Sequence, residues 1–430
     1  MTATGATREA IEAVWRIESG RLIGGLVRMV HDLGLAEDVA QEALVAALET
    51  WPTTGVPENL GAWLMATAKN RAIDQLRRRR MLDHKHGAIA AEAVAAGLPP
   101  RPDLETAIDD SVGDDLLRLV FIACHPILSL EARVALTLRL LGGLTTAEIA
   151  RAFLVPEPTI AQRIVRAKRT LTEARVPFEV PRGDELAARI PAVLEVVYLI
   201  YNEGYAATRG DDWMRLDLCE DALRLGRVLA ELVPEEAEVH GLIALMELHA
   251  SRARARVTPS GEPILLLEQD RSRWDQLLIR RGLAALARAE ALARPLGPYT
   301  LQAAIATCHA RARTGDETDW ARIVALYDAL VELTGSPVVE LNRAVAVAMA
   351  FGPAAGLALV DELVNEPALR GYHLLPSVRG DLLVKLGRLA EAGAEFEHAA
   401  SLAQNTRERD LLRARALACT SSTSNPRGRS

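Results

Sequence analysis

The sequence predicts an all-α protein built from two small helical modules followed by a large helical domain. Three observations lead there. Ala, Leu, Arg and Glu, all strong helix formers, dominate the 430 residues. Aromatic residues make up only 4% and Val-Ile-Thr alternation is nearly absent, so little of the chain reads as strand. Half of the residues are hydrophobic, enough for real cores, and a chain of 430 residues suggests about three domains at roughly 150 residues each.

The opening stretch, MTATGATREAIEAV, carries acids early and has no apolar core, so it does not read as a signal peptide. Charge then alternates along the chain. Residues 1–58 hold four basic and nine acidic side chains, and residues 63–85 hold seven basic and two acidic. Residues 83–115 reverse the balance with eight acidic and two basic, and residues 131–175 are basic again, eight against four. A chain of net charge −7 thus concentrates its positive charge in two places, the pattern expected where a phosphate backbone is to be met.

The first helical pair comes from LAEDVAQEALVAALETWP and WLMATAKNRAIDQLRRRR. Leu35, Val39, Ala43 and Ala47 form one apolar stripe, and Leu64, Ala68, Ala72 and Leu76 form another, widened by Met65 and Ile73. The two stripes are expected to pack together. Glu37, Asp38, Gln41 and Glu42 would then lie on an outward acidic face, and Asn70, Asp74, Arg77 and Arg78 on an outward face of the basic helix. Between the helices lies PTTGVPENLG, a loop suited to capturing an unstacked base, with Asn59 as the candidate. Trp51 and Trp63 flank it and read as core residues. An acidic stretch rich in Ala, Pro and Asp follows, HGAIAAEAVAAGLPPRPDLETAIDDSVGDD, and is expected to be a flexible linker.

The second basic region, Ser129 to Leu171, divides into a helix, a Gly142-Gly143 break, a helix opened by the capping box TTAE, and a last helix from Glu157. The short turn at Phe153 to Pro156 gives the final pair the spacing of a DNA-binding helix-turn-helix. Ala147, Ile149 and Ala150, with Ile160 and either Ile164 or Val165, would form its core. Thr159, Gln162, Arg163, Arg166, Lys168 and Arg169 lie along the recognition helix, where Arg and Gln can reach base edges in a major groove.

These residues resemble a bacterial RNA polymerase sigma factor of the sigma-70 family, in the extracytoplasmic-function (ECF) group. The resemblance implies that Asp38, Gln41 and Glu42 contact core RNA polymerase. Asn70, Asp74, Arg77 and Arg78 match the A-x-N-x-x-x-D-x-x-R-R pattern, starting at Ala68, of the helix that recognises and melts the minus-ten element, with Asn59 beside it. TTAEIARAFLVPEPTIAQRIVRAKRTL resembles the reader of the minus-thirty-five element. Family members often carry Ser where this chain has Gln162, a departure that bears on base preference. One subgroup bears a long helical extension of tetratricopeptide character. IPAVLEVVYLIYNEGYAA, EQDRSRWD and SPVVELNRAVAVAMAFGPAAGLALVDEL look like that extension, which the resemblance implies regulates the sigma factor. The expected partition is sigma region 2 over 8–84, the acidic linker over 85–112 and sigma region 4 over 113–176. A helical extension follows over 184–295, tetratricopeptide-like repeats over 296–418 and a disordered tail over 419–430.

The extension shows weak repetition. Gly315, Gly352 and Gly387 each precede a new helix at spacings of 37 and 35 residues, close to the 34-residue helix–turn–helix repeat. QNTRERDLLRARALA reads as a charged capping helix, and Arg256 to Asp275 as a loop with a short extended piece. The longest apolar run, Ala344 to Val360, is broken by Gly352-Pro353 and reads as two buried helices rather than a membrane span. Cys124, Cys219, Cys308 and Cys419 are far apart with no C-x-x-C, fitting a reducing cytoplasm.

Other classes compete. A one-component helix-turn-helix regulator with a helical sensor explains residues 129–430 but not the first module. A scaffold would use the repeats alone. For an enzyme, Glu203, His240, Glu247 and His249 are the only suggestive group, but His240 and His249 are nine apart, unlike the i, i+4 pair of a zincin. No catalytic residue, metal ligand or cofactor is therefore assigned.

Overall fold

The computed structural model describes residues 3–57, 59–87, 112–153, 155–208, 211–259, 262–292 and 295–423. Among them the only strand-like pairing is an isolated antiparallel bridge between Val257 and Pro263, so the all-α expectation holds. No helix among the described residues is long and apolar enough to cross a membrane. The chain divides into two compact units, residues 1–197 and 198–430.

The first unit opens with α1 (Ala3–Val30), α2 (Leu33–Thr54) and α3 (Leu60–Gly87). Asp32 starts α2 by accepting a hydrogen bond from the Leu35 amide at 2.9 Å. The expected stripe of α2 is fully buried at Leu35, Val39, Ala43 and Ala47, as are Leu64, Ala68 and Ala72 of α3. Small Ala side chains on both stripes let these helices lie close, while Leu22, Ile23, Leu26 and Val27 of α1 complete the core. α3 runs to Gly87, so residues 85–87, expected in the linker, continue the helix; nothing before Gly87 breaks it. Residues 88–111 of the acidic segment lie outside the described residues.

Next come α4 (Val112–Ala123), α5 (Leu130–Leu140), α6 (Thr146–Phe153) and α7 (Glu157–Glu173). The TTAE capping box forms as expected. The Thr145 amide donates to Glu148 at 2.7 Å, and the Glu148 amide donates back to Thr145 Oγ1 at 3.1 Å. Ile149, Ala150, Ile160 and Ile164 make the small core, whereas Val165 is 64% exposed, which settles the Ile164-or-Val165 alternative. The beginning of α8 (Asp184–Tyr205) also packs on this unit. Arg189 donates to the Phe121 carbonyl at 2.5 Å with its guanidinium 5.4 Å from the Phe121 ring, and Arg133 pairs with Glu195 at 3.2 Å.

The second unit is a succession of antiparallel helices: α9 (Leu216–Leu232), α10 (Ala237–Ala250), α11 (Gln276–Leu292), α12 (Pro298–Arg311), α13 (Trp320–Thr334), α14 (Pro337–Phe351), α15 (Pro353–Leu363), α16 (Leu374–Lys385), α17 (Leu389–Leu402) and α18 (Thr406–Thr423). Neighbours in sequence are mostly neighbours in space. The apolar run from Ala344 divides into α14 and α15 at Gly352, whose φ of 101° is open to glycine but costly for other residues. Leu341, Val360, Leu383 and Phe396 lie in one core that continues to Leu412, Ala416 and Cys419 of α18. That packing carries the last helix to Thr423, so residues 419–423 are helical rather than part of a disordered tail; residues 424–430 lie outside the described residues. The Arg256–Asp275 segment is a loop holding the bridge and two 3-10 turns. All four cysteines are buried, and none forms a disulfide among the described residues.

Candidate nucleic-acid interface

On α3 the polar and apolar faces separate as the periodicity requires. Asn70, Asp74 and Arg77 are exposed opposite the buried stripe. Arg77 and Asp74 approach to only 3.9 Å in a solvated pair, which leaves both available to a partner. Arg78 belongs to the helix, but its side chain lies outside the described residues. Asn59 is exposed and caps the helix, its Oδ1 accepting from the Ala62 amide at 3.0 Å. Trp51 is buried, and the half-buried Trp63 packs edge-on to it with ring centres 5.3 Å apart.

The recognition helix α7 shows a similar division. Ile160, Ile164, Ala167 and Leu171 face the core. Thr159, Gln162, Arg166 and Arg169 are exposed and Arg163 is half-buried. Thr159, Gln162, Arg163 and Arg166 line one open groove with Ser129 and Glu131 at the start of α5. Arg169 pairs with Glu173 one turn on, at 2.6 Å. Lys168 is placed differently from its neighbours: its ammonium pairs with Glu37 of α2.

On α2, only Asp38 of the three residues expected to meet polymerase is fully exposed. Glu42 accepts from Arg71 at 3.1 Å and Gln75 at 3.0 Å, tying α2 to α3. Gln41 donates to Glu37 at 2.6 Å. Glu37 itself does not lie on an open acidic face. It is 3% exposed, and its carboxylate meets Arg139 of α5 at 2.6 Å as well as Lys168 of α7. Two cations from the other module replace water around it, which is how a buried carboxylate remains tolerable.

The two modules are thus packed together in this unit. Arg16 of α1 reaches Glu148 at 3.0 Å, and Arg28 reaches Asp115 of α4 at 3.2 Å. Burial pushes the Glu148 carboxyl upward, but hydrogen bonds from Thr145 and Arg16 outweigh it and hold the group below the usual carboxylate range. The backbones approach closely where glycine permits. A Cβ on Gly24 would lie 2.8 Å from the Asp115 carbonyl oxygen, and one on Gly143, at φ 69°, 2.8 Å from Ser19 Oγ. A cleft of about 580 Å³ runs along the seam between Arg16, Glu37, Arg139 and Glu148. The sequence reading missed Arg16 and Arg139. One signal was available for Arg139: a lone charge inside the apolar run LTLRLLGG.

The residues suggestive of an enzyme do not converge. Glu203 pairs with Arg215, and Glu247 is buried against Arg227 at 2.8 Å and Arg281 at 3.5 Å. The His240 ring bonds the Pro234 carbonyl at 2.8 Å, and His249 stacks on Tyr205. Among the described residues no three His, Cys, Asp or Glu side chains gather as a metal site.

Comparison with known proteins follows the same division. Residues 16–81 match sigma-70 region 2, residues 118–171 match sigma-70 region 4, and residues 189–290 match a family of unknown function, DUF6596. An uncharacterized protein of Rhizobium meliloti is 43% identical over 393 residues, covering 91% of each chain. The RNA polymerase sigma-H factor of Pseudomonas aeruginosa is 32% identical over 37% of this chain and 82% of its own length. The ECF RNA polymerase sigma factor SigL of Mycobacterium tuberculosis is 30% identical over 34% of this chain and 77% of its own. No solved structure matches the chain significantly.

Proposed function

Because the chain belongs to the ECF group of sigma-70 family RNA polymerase sigma factors, carrying a large C-terminal extension, we propose that it binds core RNA polymerase and directs it to promoters, with the extension regulating that activity. In this reading α2 docks on core polymerase through Asp38, Gln41 and Glu42. The outer face of α3, with Asn59, Asn70, Asp74, Arg77 and Arg78, reads and melts the minus-ten element. Thr159, Gln162, Arg163, Arg166, Lys168 and Arg169 of α7 read the minus-thirty-five element.

The observation that carries the reading is the pairing of two outward polar faces, on α3 and on α7, in modules joined by a long acidic segment. The two promoter elements are about 25 base pairs apart by name, or about 85 Å at 3.4 Å per pair. A compact unit of this size is only about 40 Å across. The modules must therefore separate to engage both elements. The 24 residues of 88–111 can span about 80 Å when extended, enough for that separation. The packed arrangement is then a resting form, and polymerase competes with Arg139 and Lys168 for the acidic side of α2.

Reconstituted transcription with core polymerase tests this. The full chain should confer promoter-specific initiation, and a chain ending at Val197 should do so to a different extent. The endpoint is Val197 because Arg189 and Glu195 belong to the packing of the first unit. A chain that never associates with core polymerase, and instead binds a palindrome alone, would be a one-component regulator.

A further inference from the structure

The second unit holds a partly open cavity of about 280 Å³ lined from α10, α12, α13 and α14 and by Tyr198 of α8. Its walls are Leu245, Leu248, Ile305 and the rings of Tyr198 and Tyr327. Its polar side is made by His249, Arg252, His309, Gln302 and Asn342, with no carboxylate in the lining. The volume lies near the small end of the range of ligand sites, and the lining sets a cluster of convergent polar groups beside leucyl, isoleucyl and tyrosyl side chains.

The charge in this cavity has no counter-ion among the described residues. Arg252 bonds the Tyr205 hydroxyl and lies 5.8 Å from the Tyr205 ring and 5.6 Å from the Trp274 ring, but it forms no ion pair. Behind it Arg256, 8% exposed, sits 3.6 Å from the Tyr205 ring centre and bonds the Tyr205 carbonyl, also without an ion pair. Elsewhere in this unit buried charges are matched: Glu247 has Arg227 and Arg281, and Glu203 has Arg215. Arg252 is half-buried and Arg256 buried, and cations withdrawn from water without an ion-pair partner favour an anion beside them.

Two imidazoles stand beside Arg252. His249 stacks on Tyr205 with ring centres 5.1 Å apart. Burial first, and then Arg252, Arg256 and His309, push it well below its ordinary value. Burial, then Arg252 and Arg271, bring His309 down to about 4. Both rings are neutral near pH 7, and His309 Nδ1 is buried with no hydrogen-bond partner. Arg271 adds positive potential but is committed, donating to the carbonyls of His309 and Ala312 at 2.8 and 2.9 Å.

We propose that this cavity binds a small organic monocarboxylate, its carboxylate on Arg252 with His309 and His249 as hydrogen-bonding partners, and its apolar body against Tyr198, Tyr327 and Leu248. One lining guanidinium matches a single negative charge, and the aliphatic and tyrosyl walls suit an apolar body better than a bare phosphate. The site would give the extension a chemical input of its own.

Calorimetric titration of the full-length protein tests the assignment, using butyrate, hexanoate, benzoate and 3-phenylpropionate, each against its own neutral primary amide. At least one acid should bind, at least tenfold more tightly than its amide. Arg252→Gln should weaken that binding at least tenfold while leaving the unliganded melting temperature equal or higher, since an unmatched charge is removed. His309→Asn should weaken it less. Binding of no acid, equal binding of acid and amide, or undiminished binding by Arg252→Gln overturns the proposal. If Arg252→Gln does not fold, the acid-against-amide comparison on the wild-type protein decides. No polymerase or DNA enters the measurement, so its outcome is separate from the sigma reading.

Discussion

Glu37 on α2 and Arg139 on α5, 102 residues apart, meet at 2.6 Å in a buried contact that joins the two modules of the first unit. Lys168 of the recognition helix completes the group. One carboxylate on α2, the helix proposed to dock on polymerase, is thus shared with a cation of α7, the helix proposed to read DNA, so in that reading occupation of one surface bears on the other.

Glu37→Gln should loosen this closure. It leaves Arg139 and Lys168 facing an amide in a buried place, and breaking such a pair costs about 3 kcal/mol. Urea unfolding should show the first unit destabilised by that order, while affinity for core polymerase rises several-fold because less must be undone on binding. Unchanged unfolding would show that the contact carries no weight in closure.

The pH dependence of closure follows from Glu148. Its folded-state value lies below the ordinary 4.5, so its stabilising contribution is full above the unfolded value and is lost as pH falls through the folded one. Urea midpoints measured from pH 3 to pH 7 should fall towards the acid end, and Glu148→Gln should flatten part of that fall. Parallel curves for the two proteins would assign the acid sensitivity to other carboxylates.

Gly143→Ala should act on the same seam from the backbone side. Alanine at φ 69° is strained, and its Cβ would meet Ser19 Oγ at 2.8 Å and Arg16 Cα at 3.1 Å. The expected loss is about 1–3 kcal/mol, read by thermal unfolding. The fold of α6 and α7 should survive, since their core at Ile149, Ile160 and Ile164 is not touched.

For the recognition helix, Arg166→Ala in the assembled polymerase should weaken promoter binding across sequences and lower the salt slope by about 1 if Arg166 meets phosphate. Gln162→Ala should instead relax preference at one base position by about 1–3 kcal/mol. Fluorescence anisotropy on wild-type and single-base-substituted promoters at several salt concentrations separates these outcomes. Loss of neither affinity nor preference in either variant would remove α7 from the interface.

Much of this was legible because helical periodicity is a local signal. The stripes of α2 and α3, the Thr145–Glu148 cap and the Gly352 break follow from residues a few positions apart. Glu37 was misplaced for the complementary reason. Its periodicity put it beside Asp38 and Gln41 on an outward face, and the cations that bury it come from 102 and 131 residues later. The cavity of the second unit was equally hidden, since Tyr198, Arg252, His309, Tyr327 and Asn342 come from separate helices and connections. His249 drew notice only as a possible metal partner of His240, and its stacking on Tyr205 depends on the meeting of α8 and α10.

The buried thiols carry a last consequence. Burial pushes Cys124 up to about 11 and Cys219 up to about 12. At pH 7 a thiol of pKa 11 is a thiolate about one time in ten thousand, and the thiolate is the form that peroxides attack. Oxidative stress therefore has no ready chemical entry through Cys124 or Cys219, and a regulator of this construction is deaf to peroxide at these positions.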